Sequence, residues 1–229
     1  MRKRAIGALA AAFLVAGCEG NFLGLAGGLR TGARIRVLNA LPTAPSIDVL
    51  VDGVVVASNI GYGVTTSYLA LDAASSRVQV RPVGSTTSLV DVPFDGAQLG
   101  DFTIIASTGL GQFGSIIVSD ESTVPPVGQT RLRILHAAPS VALVDVYVTN
   151  PGASLLGATP TLTAVPLGAA SSYLTVAAGP RQIRVTVAGS PTLLLADTGT
   201  LSLASRSVTN VLVLDRPGGG LPVQLVLAN

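Results

Sequence analysis

The strongest constraint on this chain is that it states one alternating pattern twice. Arg34-Ile-Arg-Val-Leu-Asn39 returns as Arg131-Leu-Arg-Ile-Leu-His136, 97 residues later. Pro42 and Pro139 keep that offset, as do Asp48-Val-Leu-Val51 and Asp145-Val-Tyr-Val148. Further on, Ser67-Tyr68-Leu69 matches Ser172-Tyr173-Leu174, and Val78-Gln-Val80 matches Ile183-Arg-Val185, now 105 apart. The second repeat therefore carries eight extra residues between these blocks. Such an internal repeat sets the architecture before any residue is given a role.

Each repeat alternates with period two. Arg34 and Arg36 alternate with Ile35 and Val37; Ile47, Val49 and Val51 alternate with Ser46, Asp48 and Leu50; Arg77, Gln79 and Arg81 alternate with Val78 and Val80. One apolar and one mostly polar face per strand predicts antiparallel sheets closing on a single core. Asp52-Gly53 between Val51 and Val54 predicts a tight hairpin, because both residues tolerate positive φ. Seven or eight such runs fall in each repeat, and no amphipathic helix stands out. The fold expected is all-β, as two tandem immunoglobulin-like β-sandwich domains. With 48% hydrophobic and 4% aromatic residues and no Trp, the core has to be built from Val, Leu, Ile and Ala.

The N-terminus reads as a targeting signal. Arg2-Lys3-Arg4 precede Ala5 to Gly17, an unbroken run of 13 apolar or small residues. A membrane-spanning helix needs about 20, so the run fits the apolar region of a signal peptide. It ends Leu14-Val15-Ala16-Gly17-Cys18, which resembles the bacterial lipobox. That resemblance implies cleavage before Cys18 and diacylation of its sulfur, and two acyl chains give stable anchoring. Cys18 is the only cysteine, so no intramolecular disulfide can form. Glu19 to Gly32 contains five glycines and reads as a flexible tether. Glu19 rather than Asp after the lipidated Cys favours the outer membrane in a didermic cell. The pI near 9.0 belongs to the precursor, because the basic cluster lies ahead of the cut; a nucleic-acid partner is excluded on that ground. The expected layout is a lipoprotein signal peptide at 1–17, lipidated Cys and tether at 18–33, a first sandwich at 34–120, a Pro-stiffened linker at 121–129 and a second sandwich at 130–229.

Leu135-His-Ala-Ala-Pro139 followed by Val144-Asp-Val-Tyr-Val148 resembles the bacterial family called domain of unknown function 4397. The first repeat carries a weaker version, Leu38-Asn-Ala-Leu-Pro42 and Ile47-Asp-Val-Leu-Val51. The resemblance implies an exported, often repeated β-sandwich with no established activity, and it supplies no catalytic residues.

Residue chemistry gives few candidates. His136 is the only histidine and its counterpart is Asn39, so a structural role outweighs a triad or metal site. Asp48 and Asp145 repeat at equivalent positions, as a fold requirement would demand. They are expected to pair across strands with Arg34 or Arg36, and with Arg131 or Arg133; the alternative is a cation or sugar ligand. Tyr68 and Tyr173 read as buried tyrosines with bonded hydroxyls, as in a tyrosine corner. Asp120-Glu121 reads as solvated charge at the linker. Gly109-Leu-Gly111 and Gly218-Gly-Gly220 precede neither helix nor Lys, so they read as loops and not phosphate cradles. The insertion within Thr149–Pro166 is uncharged and is the place to look for a function private to the second repeat.

The function expected is a membrane-anchored envelope lipoprotein with a non-catalytic binding or structural role and no cofactor or metal. Its partners would be the bilayer, through acylated Cys18, and an envelope protein or polysaccharide. The alternative is a carbohydrate-active or other hydrolase using Asp or Glu. An outer-membrane barrel fits the alternation but has too few aromatics for two girdles. The repeats are expected to share only a small contact, because residues 121–129 offer little apolar surface.

Overall fold

The computed structural model describes residues 32–71, 75–109, 112–120 and 123–228. The lipobox with Cys18, the tether and Glu121 lie outside the described residues. The first repeat runs through β1 (Ala33–Ala40), β2 (Ser46–Val51), β3 (Val54–Gly61), β4 (Leu69–Ala70), β5 (Ser76–Pro82), β6 (Val90–Phe94), β7 (Gly100–Gly109) and β8 (Gln112–Asp120). The second runs through β9 (Gln129–Ala137), β10 (Leu143–Thr149), β11 (Leu162–Pro166), β12 (Leu174–Ala177), β13 (Gly179–Val187), β14 (Ser190–Asp197), β15 (Leu201–Leu203), β16 (Val208–Leu214) and β17 (Gln224–Ala228). The chain is all-β among the described residues.

Four sheets form two equivalent pairs. The first repeat has orders β4-β1-β7-β8 and β3-β2-β5-β6; the second has β12-β9-β16-β17 and β11-β10-β13-β14, with β15 on β13. Register repeats as well as order. Val51 lies opposite Val78 and Val148 opposite Ile183, while Ile35 faces Leu69 and Leu132 faces Leu174. A one-residue slip would turn each apolar face to water, so matched alternation forces matched pairing. Ile35, Val37, Ile47, Val49, Val78 and Val80 close the first core, and Leu132, Ile134, Val144, Val146, Ile183 and Val185 the second. Asp52 and Gly53 both take positive φ, 50° and 82°, as the tight hairpin requires. In the second repeat residues 150–161 replace that hairpin, so the insertion sits outside the sheets.

Two expectations need correcting. The sheets are not purely antiparallel: β1 runs parallel to β7, and β9 parallel to β16. These central strands are largely buried on both faces, as parallel neighbours normally are. The second correction follows from that outer face. Leu38, Ala40 and Ile105 meet Leu135, Ala137, Leu212 and Leu214 in a third apolar cluster. Ile116, Val118 and Val226 pack against it. The repeats are therefore fused through the outer faces of their β1 and β9 sheets, and Thr31–Asn229 forms one compact unit. The sparse contact expected from the linker is overturned because the contact is made by the sheets.

Candidate functional site

The seam between the repeats holds a buried ion-pair network. Asp120, the last residue of β8, is its centre. Its Oδ2 accepts from Tyr68 Oη and from Thr103 Oγ1, each at 2.6 Å, and its Oδ1 from Arg133 Nη2 at 2.5 Å. Arg36 Nε stands 3.5 Å from the same carboxylate and donates to Thr103 Oγ1. Arg36 and Arg133 are repeat equivalents, so one carboxylate lies between two copies of one arginine. All three side chains are nearly buried, at 6%, 5% and 8% exposure for Arg36, Arg133 and Asp120. Arg133 also donates to Asn210 Oδ1 and to the Ser119 carbonyl. The expectation of a solvated acidic pair fails at Asp120, because the packing of the sheets encloses the end of β8.

Tyr68 and Tyr173 stand against these arginines, and the Tyr68 hydroxyl is bonded to the Asp120 carboxylate and not, as in a tyrosine corner, to the backbone. The Arg34 and Arg36 guanidinium carbons lie 5.1 and 4.9 Å from the Tyr68 ring centroid, and Arg133 lies 4.7 Å from that of Tyr173. Such stacking over an aromatic face is favourable when desolvated. Burial, then Asp120, raises the Tyr68 phenol above its ordinary pKa, so it stays a donor. Tyr62 adds a second polar tie, donating to the Asp215 carbonyl at 2.7 Å.

Asp48 and Asp145 do something other than pair with arginine. Arg34 instead pairs with Asp101, and Arg36 and Arg133 with Asp120. Asp48 accepts from Asn59 N–H and Asp145 from Ala164 N–H, at 3.1 and 2.7 Å. Asn59 and Ala164 both hold positive φ, 57° and 50°, where β3 and β11 slip register against β2 and β10. Each aspartate thus pins a bulge in an edge strand, and bulges protect edges. Asp145, 2% exposed, also accepts from Gly189 N–H.

His136 and Asn39 likewise share one task. Asn39 Nδ2 donates to the Ala44 carbonyl and its Oδ1 accepts from Leu41 N–H. In His136, Nε2 meets the Val141 carbonyl and Nδ1 accepts from Ala138 N–H, at the equivalent positions. The imidazole is therefore neutral with its proton on Nε2, and burial pushes its pKa below the ordinary 6.5. Both side chains tie down the turn that carries Pro42 or Pro139.

Beside the seam lies a cleft of about 530 Å³. Ser107, Thr108, Gly109 and the Gly114–Ile116 stretch of the first repeat face Pro139, Ala142 and the Pro166–Gly168 stretch of the second. Among the described residues its lining holds no titratable side chain, and its polar side chains are those of Ser107, Thr108 and Ser115. Only the end of the insertion reaches it, at Pro166. Among the described residues, no group of three or more His, Cys, Asp or Glu is placed to hold a metal ion.

A family model, domain of unknown function (DUF4397), matches residues 33–147, just over half of the chain. The chain belongs to the DUF4397 family. The DUF4397 match spans the whole first repeat and ends within β10, so it includes Asp120 and Arg133 but not the β16 and β17 side of the seam. No curated protein matches the sequence. Among solved structures, the family 26 carbohydrate-binding module CBMbc of Amy13K from Eubacterium rectale, solved with maltoheptaose, is 11% identical. The match covers 85% of this chain and 96% of that one, at a TM-score of 0.28. An alpha-glucan-binding streptococcal virulence factor is 10% identical over 82% of this chain and 95% of that one, at a TM-score of 0.29. No residue role is carried over from either.

Proposed function

We propose that this chain is a membrane-anchored, non-catalytic lipoprotein of the cell envelope, whose two fused repeats act as one rigid binding or structural body. The observation that supports it is the use made of the titratable groups. Asp48, Asp52, Asp95, Asp145 and Asp215 each accept from backbone N–H groups. Asp91 and Asp101 pair with Arg77 and Arg34, Asp197 accepts from Gln182 and Gly199, and Asp120 holds the seam. A glycoside hydrolase needs two carboxylates about 5–9.5 Å apart that face an open cleft, and among the described residues the cleft here has none in its lining. An aromatic sugar platform also lacks support, because arginines cover Tyr68 and Tyr173.

Anchoring rests on Leu14–Cys18 and is tested directly. Cys18→Ser is expected to lose acyl labelling and to leave the membrane fraction for the soluble one. A variant that sediments with membranes like the wild type would overturn the anchor. For the non-catalytic role, the purified protein is expected to release no reducing ends from a panel of envelope polysaccharides. Release that follows the protein through successive columns would overturn it. Crosslinking the protein in its native envelope is expected to capture a protein or polysaccharide partner.

A further inference from the structure

Nine strands border the four sheets among the described residues, the 3-residue β15 included, and eight are blunted against further pairing. β4 and β12 are short, with 2 and 4 residues, and β17 has 5. The bulges pinned by Asp48 and Asp145 interrupt β3 and β11. β6 contains Pro93, and the pairing of β14 slips twice. These are the devices by which soluble proteins avoid edge-to-edge association. β8 has none of them. It is 9 residues long, pairs with β7 without a register break from Asp101↔Asp120 to Gly109↔Gln112, and carries no Pro and no charge before Asp120.

The free side of β8 can be read from Arg133. The Ser119 carbonyl accepts from Arg133 Nη1 rather than from β7, so it points off the sheet. Backbone groups alternate sides along a strand. Phe113, Ser115 and Ile117 therefore direct their N–H and C=O groups outward too. The same three residues share one side-chain face, on which Phe113 is 47% and Ile117 42% exposed. Ser115 lies midway between them.

We infer that β8 is a self-pairing edge: two protomers join antiparallel along it, with Ser115 on the two-fold axis. That register sets Phe113 of each protomer opposite Ile117 of the other, an aromatic on β-branched cross-strand pair of the favourable kind. It brings no like charges together, because Phe113–Ser119 is uncharged. It satisfies the outward groups of all three residues with about six hydrogen bonds. Two four-stranded sheets become one. A two-fold contact of this kind closes on itself and does not propagate into fibres.

The test uses the full chain with Cys18→Ser, so that one introduced cysteine is the sole thiol. With Ser115→Cys the two thiols face each other, with Cα atoms about 5.5 Å apart, within disulfide reach. With Phe113→Cys they lie about 14 Å apart, beyond it. Mild oxidation is expected to give about tenfold more disulfide dimer from the first variant than from the second. Sedimentation of the wild-type full chain in detergent is expected to show a dimer. Ile117→Lys is expected to return it to monomer with an unchanged circular dichroism spectrum. Equal crosslinking at both positions, or a wild-type monomer at about 100 µM, the weak end of specific pairing, would overturn the inference.

Discussion

Replacing Asp120 with Ala should damage the molecule far beyond the loss of one surface charge. The carboxylate accepts from Tyr68, Thr103 and Arg133 and stands against Arg36. Its removal takes a shared carboxylate from beside two guanidinium groups, each about 5% exposed. Taking one partner from a buried ion pair costs about 3–5 kcal/mol, most of it from the charge left behind. For a chain of this size each kcal/mol moves the melting midpoint by about 2–4 °C, so a fall of roughly 6–20 °C is expected. Scanning calorimetry of Asp120→Ala beside Asp91→Ala measures it. Asp91 pairs with Arg77 in the open, and its loss should leave the midpoint nearly unchanged. A midpoint for Asp120→Ala as close to wild type as that of Asp91→Ala would refute the reasoning. In that case the closure of the seam would not depend on Asp120.

Asp145→Ala should destabilise by about 1–3 kcal/mol in urea melts, because this nearly buried carboxylate accepts from two N–H groups in part-buried bonds. Asp48→Ala should cost no more than about 1 kcal/mol, since solvent reaches the Asn59 N–H that it accepts from; equal losses would contradict the bulge-pinning account. The depressed pKa of His136 gives stability that is full above pH 6.5 and falls as pH drops below it, because the unfolded chain takes up the proton first. His136→Asn, which installs the residue found at Asn39, should keep the fold and remove that loss. Melting midpoints of wild type and variant between pH 8 and 5, the range around the ordinary imidazole pKa, should diverge below 6.5 if the account holds and run parallel if it does not.

The sandwich itself was legible in the sequence because alternation at two fixed offsets leaves little freedom. Once Ile35 and Leu132 face inward, so must their neighbours two residues on, and the pairing of Val51 with Val78 repeats in Val148 with Ile183. The shared interface was less legible. Its signal is that the polar face of β1 turns apolar at Leu38 and Ala40, as β9 does at Leu135 and Ala137. Periodicity marks such a face as buried but does not say what covers it. Asp120 hid for a related reason: beside Glu121 and Pro125-Pro126 it reads as linker, and only the sheet-on-sheet contact encloses it. The aspartates were legible as structural from their repetition, but their partners were not. A bulge is defined by a slip in the neighbouring strand, at Asn59 and Ala164, which composition does not announce. His136 could be placed because Asn39 stands at the same position and can donate to the same kind of carbonyl.

The claim beneath all of this is that the two repeats fold and act as one body. Calorimetric unfolding of the intact chain tests it most directly, through the ratio of calorimetric to van 't Hoff enthalpy. A fused core built from Leu38, Ile105, Leu135 and Leu212, tied by Asp120 to Arg133, predicts a single transition with a ratio near one. Two resolved transitions, or a ratio of about two, would show the repeats melting independently and would contradict it.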